Sequence, residues 1–263
     1  MGGTIRSEFR KLFTTRLWWG MAMGIFIAGA GFAGLFAAVV DAARAADGSQ
    51  VHLDATQTAN NVYGAGTSLA YLLTLAIGVM AIGSEYRHKT ITSTFLTTPR
   101  RVQVMLAKVT SLLGFGVLYG LLFIVGSVGI GATVLSLKGH AAFPEAGPIV
   151  RTLALILLVL GLWALIGLGV GILIPNQVAA LLIAIGVAWI VEPLAGFLLG
   201  TQSWGKGVAQ YFPSQATNAI IQQVGGQPGA EQLSWWAGAL VLIAYAAVLA
   251  GIGTWLTTRR DIS

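Results

Sequence analysis

Residues 153–199 read LALILLVLGLWALIGLGVGILIPNQVAALLIAIGVAWIVEPLAGFLL, an apolar run with a single charge, Glu192. As one helix it would extend about 70 Å at 1.5 Å per residue, more than twice the thickness of a bilayer's hydrocarbon core. The chain must therefore turn, and Pro175-Asn176 supplies the place. Proline has no amide hydrogen to continue a helical ladder and biases its predecessor away from helix. The run reads as two membrane spans, Leu153–Ile174 and Val178–Leu199, joined by a tight hairpin.

The same pattern recurs outward in both directions. Leu17–Val40, Gly64–Gly83, Val109–Leu135 and Trp235–Leu256 are each apolar and long enough to cross. Of the 263 residues 56% are hydrophobic and 9% charged, and the mean hydropathy is +0.80, so polar side chains could not cover a soluble surface. Six crossings of roughly 20 residues leave no room for a soluble catalytic domain, and the expectation is one transmembrane domain over 1–263. With no cysteine there is no disulfide framework or thiolate metal site. The first apolar stretch exceeds the length of a signal-peptide core and is read as a membrane helix.

The cationic residues fix an orientation. Arg6, Arg10, Lys11, Arg16, Arg87, Lys89, Arg100, Arg101, Lys108, Arg259 and Arg260 fall on one side, eleven of the fifteen lysines and arginines. Arg44, Lys138, Arg151 and Lys206 fall on the other. The positive-inside rule places both termini, the 84–108 connection and the Pro175 turn in the cytoplasm. The net charge of +6 sits beside apolar spans, which points to topology and lipid headgroups rather than nucleic acid. Before the first span, Ile5, Phe9, Leu12 and Phe13 share one face of Thr4–Arg16, the pattern of a helix lying in the membrane interface. Outside the membrane lie residues 41–63 and 200–234. In the second of these, Ala216, Ile220 and Val224 follow Ser214, read as a helix cap, and predict a short outer re-entrant helix.

Residues 85–108, EYRHKTITSTFLTTPRRVQVMLAK, are the most informative connection. Ile91 and Phe95 share a helix face, threonines supply hydroxyls, and Pro99 closes the run. A helix docking into a partner's groove, a helix on lipid headgroups and a plain loop all remain open from the residues alone. The segment resembles the membrane subunits of type 2 ATP-binding-cassette transporters, the ABC-2-like permeases. Glu85, Thr90, Pro99, Arg101 and Lys108 match the family's order, with Lys89 where a glycine is frequent. Glu8-Phe9-Arg10-Lys11-Leu12 resembles the family's amphipathic lead helix, and Tyr211-Phe212-Pro213 the start of its outer re-entrant element.

The resemblance implies an all-α polytopic fold of six transmembrane helices, with an interfacial helix at 1–16 and a cytoplasmic coupling helix within 85–100. It also implies the site: Glu85, Arg87, Thr90, Ile91, Thr94, Phe95, Leu96, Pro99 and Arg101 would engage a separate ATPase. The implied partners are cytoplasmic ATPase subunits, a second permease copy or paralogue and membrane lipid, in a bacterial cytoplasmic membrane. No cofactor is expected on this chain, with ATP and magnesium carried by the ATPase. An exporter is the expected direction of transport.

Other features are weighed against that expectation. Glu192 is the one carboxylate within a span. It could serve a proton-coupled carrier, or it could bond to backbone freed by Pro193 or line a wet outer cavity. A non-transporting scaffold or sensor is a third class. Gly200, Gly205 and Lys206 satisfy GxxxxGK, yet Gly207 stands where Ser or Thr should hold magnesium, and no strand precedes the segment. His52, His88 and His140 lie in connections without metal-ligand companions. The pairs Gly20/Gly24, Gly116/Gly120, Gly167/Gly171 and Gly196/Gly200 read as helix packing.

An impermeant label should reach residues 45–55 from outside intact cells and fail to reach 88–98. Labelling of residue 92 from the exterior would reverse the orientation.

Overall fold

The computed structural model describes residues 2–46, 54–89, 101–221 and 233–259. They form α1 (Gly2–Phe13), α2 (Leu17–Ala46), α3 (Ala55–Gly64), α4 (Thr67–Arg87), α5 (Arg101–Leu137), α6 (Ala146–Leu173), α7 (Gln177–Gly186), α8 (Glu192–Gly200), α9 (Ser203–Ala209), α10 (Pro213–Ile221) and α11 (Trp235–Arg259), with one π-helical turn at Val187–Val191. Among the described residues, six helical stretches are long and apolar enough to cross a membrane: Leu17–Asp41, Ala55–Arg87, Gln103–Leu137, Ala146–Leu173, Gln177–Gly200 and Trp235–Gly253. The chain is an all-α polytopic membrane protein.

The Pro175 turn closes as the sequence requires. The helix stops at Leu173, and Asn176 accepts hydrogen bonds from the amides of Val178 and Ala179 at 3.0 and 3.1 Å, capping α7. Several helices run past the spans read from sequence, Leu17–Ala46, Arg101–Leu137 and Ala146–Leu173 among them, and two further differences have a visible local cause. The connection 41–63 is not all loop, because Asp54 and Gln57 form a reciprocal capping box that starts α3. Val62 and Tyr63 bury on α3, and the Tyr63 hydroxyl donates to the Ala142 carbonyl at 2.7 Å. The lead helix ends at Phe13 rather than Arg16. The Thr14 and Thr15 hydroxyls fold back onto the carbonyls of Arg10, Lys11 and Leu12, which closes its last turn.

Helix α6 is the axis of the bundle, in contact with α3, α4, α5, α7, α10 and α11. Its glycines make this possible. A Cβ at Gly167 would land on the Leu75 carbonyl oxygen of α4, and one at Gly171 would lie 2.6 Å from Ile82. Gly116 of α5 meets the Gly161 backbone of α6, and a Cβ at Gly120 would lie 2.5 Å from Leu157. These two pairs are seams inside the chain, whereas Gly20 and Gly200 have open space around them. Trp163 fills the centre, stacked on Tyr71 of α4 at 4.1 Å between ring centroids and donating to Thr217 of α10 at 2.8 Å.

Gly167→Ala should lower thermal stability in detergent by about 2 kcal/mol, since the added methyl must displace backbone. Gly20→Ala should change it by less than about 0.5 kcal/mol. Equal melting temperatures for the two variants would contradict the seam.

Candidate functional site

Three helices converge at the end of α4 and the first turns of α5, the two elements that residues 90–100 connect in sequence. Helix α4 ends at Arg87, α5 begins at Arg101, and α1 lies across α5. The apolar face of α1 does not meet lipid alone, as its amphipathic pattern suggested. Phe9 stacks on Phe115 of α5 at 5.7 Å, and Phe13 lies tilted against the same ring at 4.8 Å and meets Trp18 edge-on at 5.3 Å. Gly114 opens the slot that Phe9 enters, since a Cβ there would lie 2.6 Å from its ring.

This docking brings four charges into one ring. Lys108 Nζ donates to Glu8 Oε2 and Glu85 Oε1, each at 2.7 Å. Lys11 Nζ donates to Glu8 Oε1 at 2.6 Å and to Glu85 Oε1 at 2.7 Å. Two carboxylates and two ammonium groups alternate and cancel, which is what makes their burial tolerable. Lys108 is only 1% exposed, and Glu8 and Glu85 are 5% exposed each. The fourth member, Lys11, reaches water. Its partial burial works against its charge, but the hydrogen bonds it donates to both glutamates, with their negative charges, outweigh that and hold its pKa above the ordinary lysine value. Glu85 Oε2 is buried without a hydrogen-bond partner among the described residues.

Of the residues named from sequence, Glu85 thus joins Lys108, and both join Glu8 and Lys11. Arg87 stands exposed in the last turn of α4. Thr90, Ile91, Thr94, Phe95, Leu96 and Pro99 lie outside the described residues, and Arg101 opens α5. Sequence reasoning did not connect Glu8 and Lys11 to this site. The available signal was their i, i+3 spacing, which puts one acid and one base on the same side of a short helix.

Lys89 explains its own oddity. It follows the α4 C-cap with φ 54°, in the left-handed region that glycine enters freely. Its amide donates to the Tyr86 carbonyl at 3.2 Å, a closing bond of that kind of helix end. At the far end of α5, Gly139 takes the corresponding position with φ 79°. The glycine expected at 89 is therefore a backbone requirement, and lysine meets it under strain of about 1 kcal/mol.

Glu192 sits elsewhere, about 20 Å along the bundle by helix rise. It is 8% exposed, and its Oε2 accepts from the Ser214 amide at 2.9 Å. The expected Ser214 cap is replaced by this arrangement. Helix α10 starts one residue earlier, at Pro213, and a carboxylate from α8 supplies the oxygen that a first-turn amide needs. Val224, expected on the same helix, lies outside the described residues.

Lys108→Met should destabilise the protein by about 3–5 kcal/mol, because it leaves two buried carboxylates facing one half-exposed lysine. Lys11→Met should cost clearly less, about 1 kcal/mol. Thermal unfolding of both purified variants in detergent gives the comparison, and a Lys108→Met protein as stable as wild type would remove the ring as a structural element.

The sequence model of the ABC-2 family transporter protein matches residues 4–191, from α1 through the π turn. No curated protein matches the chain. The matched region covers most of the chain and contains the whole charge ring, so this protein belongs to the ABC-2 family of transporter membrane proteins.

Proposed function

We propose that the chain is the permease subunit of an exporter in a bacterial cytoplasmic membrane, driven by separate ATPase subunits and paired with a second permease copy or paralogue. ATP and magnesium belong to the ATPase. In this reading residues 85–100 are the coupling segment, with Ile91 and Phe95 as its apolar anchors and Thr90, Thr94, Leu96, Pro99 and Arg101 around them.

The observation that carries the reading is the Glu8–Lys11–Glu85–Lys108 ring. Both exits of the 90–100 segment, the end of α4 and the start of α5, are clamped to each other and to α1 by buried ion pairs. A displacement applied to that segment reaches α4 and α5 together, and α4 passes it to α6 through backbone contact at Gly167. ATP-driven closure of the partner pair then biases the bundle between inward- and outward-facing arrangements, by stabilising one more than the other.

Glu192 supports this reading better than a proton-coupled carrier, because its carboxylate is already engaged in holding α10. A group with that structural task would have to release the helix each time it took a proton.

Phe95→Ala combined with Ile91→Ala should weaken association with the partner ATPase by about 30-fold, the equivalent of about 2 kcal/mol for loss of a buried aromatic anchor. Co-purification and ATP-driven flux in reconstituted vesicles measure it. Unchanged binding together with unchanged flux would reject the coupling segment.

A further inference from the structure

Holding the start of α10 does not require a charge. The Ser214 amide needs one oxygen, and a neutral Asn, Ser or Thr caps a helix as well as a carboxylate does. The residue that does it is nonetheless Glu192, 8% exposed and 2.9 Å from that amide. It lies about 12 Å of helix rise short of the outer end of its span at Gly200, at a depth where hydrocarbon rather than water surrounds the bundle. It forms no ion pair among the described residues, whereas each buried member of the ring at the cytoplasmic end has one. A buried carboxylate without a countercharge is costly to keep. Within a membrane such a group marks a site whose partner comes from outside the chain.

The neighbours of Glu192 specify that partner. Its charge reaches the hydroxyls of Tyr71 on α4 and Tyr245 on α11, so two further helices bring aromatic rings towards the carboxylate. Tyr71 is held in place by its stack on Trp163. Carboxylate and rings together suit a positive group on an apolar body, the carboxylate answering the charge and the rings both charge and hydrocarbon.

The approach is from the lipid. Tyr245 is 38% exposed, Pro193 and Leu194 beside Glu192 are exposed, and α8 packs mainly on the π turn and α9 rather than into the core. A ligand that reaches Glu192 by this route must dissolve in the bilayer. We infer that Glu192, with Tyr71 and Tyr245, is the recognition point for a lipophilic cation, and that such cations are the substrate class of the permease. The second half rests on the permease reading; the first stands without it.

The test uses the purified full chain in neutral detergent, with tetraphenylphosphonium and its anionic isostere tetraphenylborate as probes in equilibrium dialysis. Wild type should bind tetraphenylphosphonium saturably and in preference to tetraphenylborate. Glu192→Gln keeps an oxygen for the Ser214 amide but loses the charge, and should weaken tetraphenylphosphonium binding by about 10-fold, the scale of one partly screened charge pair. Glu192→Asp keeps the charge on a shorter arm, and should retain most of the preference while melting at a lower temperature. Tyr245→Leu should weaken binding by about threefold. Melting curves confirm that each variant is folded. A carboxylate with only a structural task gives the reverse order, Gln harmless and Asp harmful, and that result would overturn the site. Equal binding of the two probes by wild type would overturn it as well. Vesicles containing the partner ATPase then separate the two halves of the inference. ATP-driven tetraphenylphosphonium flux that Glu192→Gln abolishes supports both. Glu192-dependent binding without ATP-driven flux would keep the site and refute its place in transport.

Discussion

Three buried charges cannot be held out of water unless each of them is answered, and the lower end of this bundle is organised around that requirement. Glu8, Lys11, Glu85 and Lys108 come from three helices separated by up to 100 residues in sequence, and none of the three could be withdrawn without stranding a charge at low dielectric. The ring therefore dictates where α1 lies and how far apart the ends of α4 and α5 stand. An apolar plug in the same position would hold the helices together but would tolerate sliding, whereas ion pairs of 2.6–2.7 Å define one register.

Above the ring, cohesion changes character. Within the bilayer no hydrophobic force distinguishes helix from lipid, so packing must come from close backbone approach. Helix α6 meets α4 and α5 through glycine seams and closes on α10 through Trp163 and Thr217. Tightly packed backbone has no side chain to repack, so such seams move as units rather than deform. The periphery is looser. Only 22% of the Gln177–Gly200 window and 28% of the Leu17–Asp41 window are buried within the chain, against 61% and 67% for the Ala146–Leu173 and Ala55–Arg87 windows. The well-covered core and thinly covered edges divide the bundle into a shaft and its flanks.

What the sequence disclosed follows from the range of the forces involved. The Pro175 hairpin was legible because proline's missing donor acts on its immediate neighbours. Span existence was legible because the bilayer imposes one length on all of them. Lys108 and Glu85 were found through their place in a family pattern, but their partners Glu8 and Lys11 were not, since no local rule links positions 74 and 100 residues apart. Likewise Asp54 announced α3 only to a reader who allowed Asn60 and Asn61 inside a helix. At Lys89 the departure from a usual glycine was visible, and the left-handed backbone supplied its meaning.

The π turn at Val187–Val191 has a consequence for how the fifth span is read around its circumference. The residues it buries are Ala180, Ala184, Ala188, Glu192 and Gly196, a strict repeat of four. On an ideal α-helix such a repeat drifts by about 40° at each step, or about 160° overall, and would wind onto the opposite side. The π turn accommodates one extra residue, worth about 100° of rotation, and returns most of that drift. A helical wheel drawn at uniform pitch would therefore misplace everything beyond Val191. Five residues of altered winding keep a stripe of small side chains in phase and bring a solitary carboxylate round to the amide it caps.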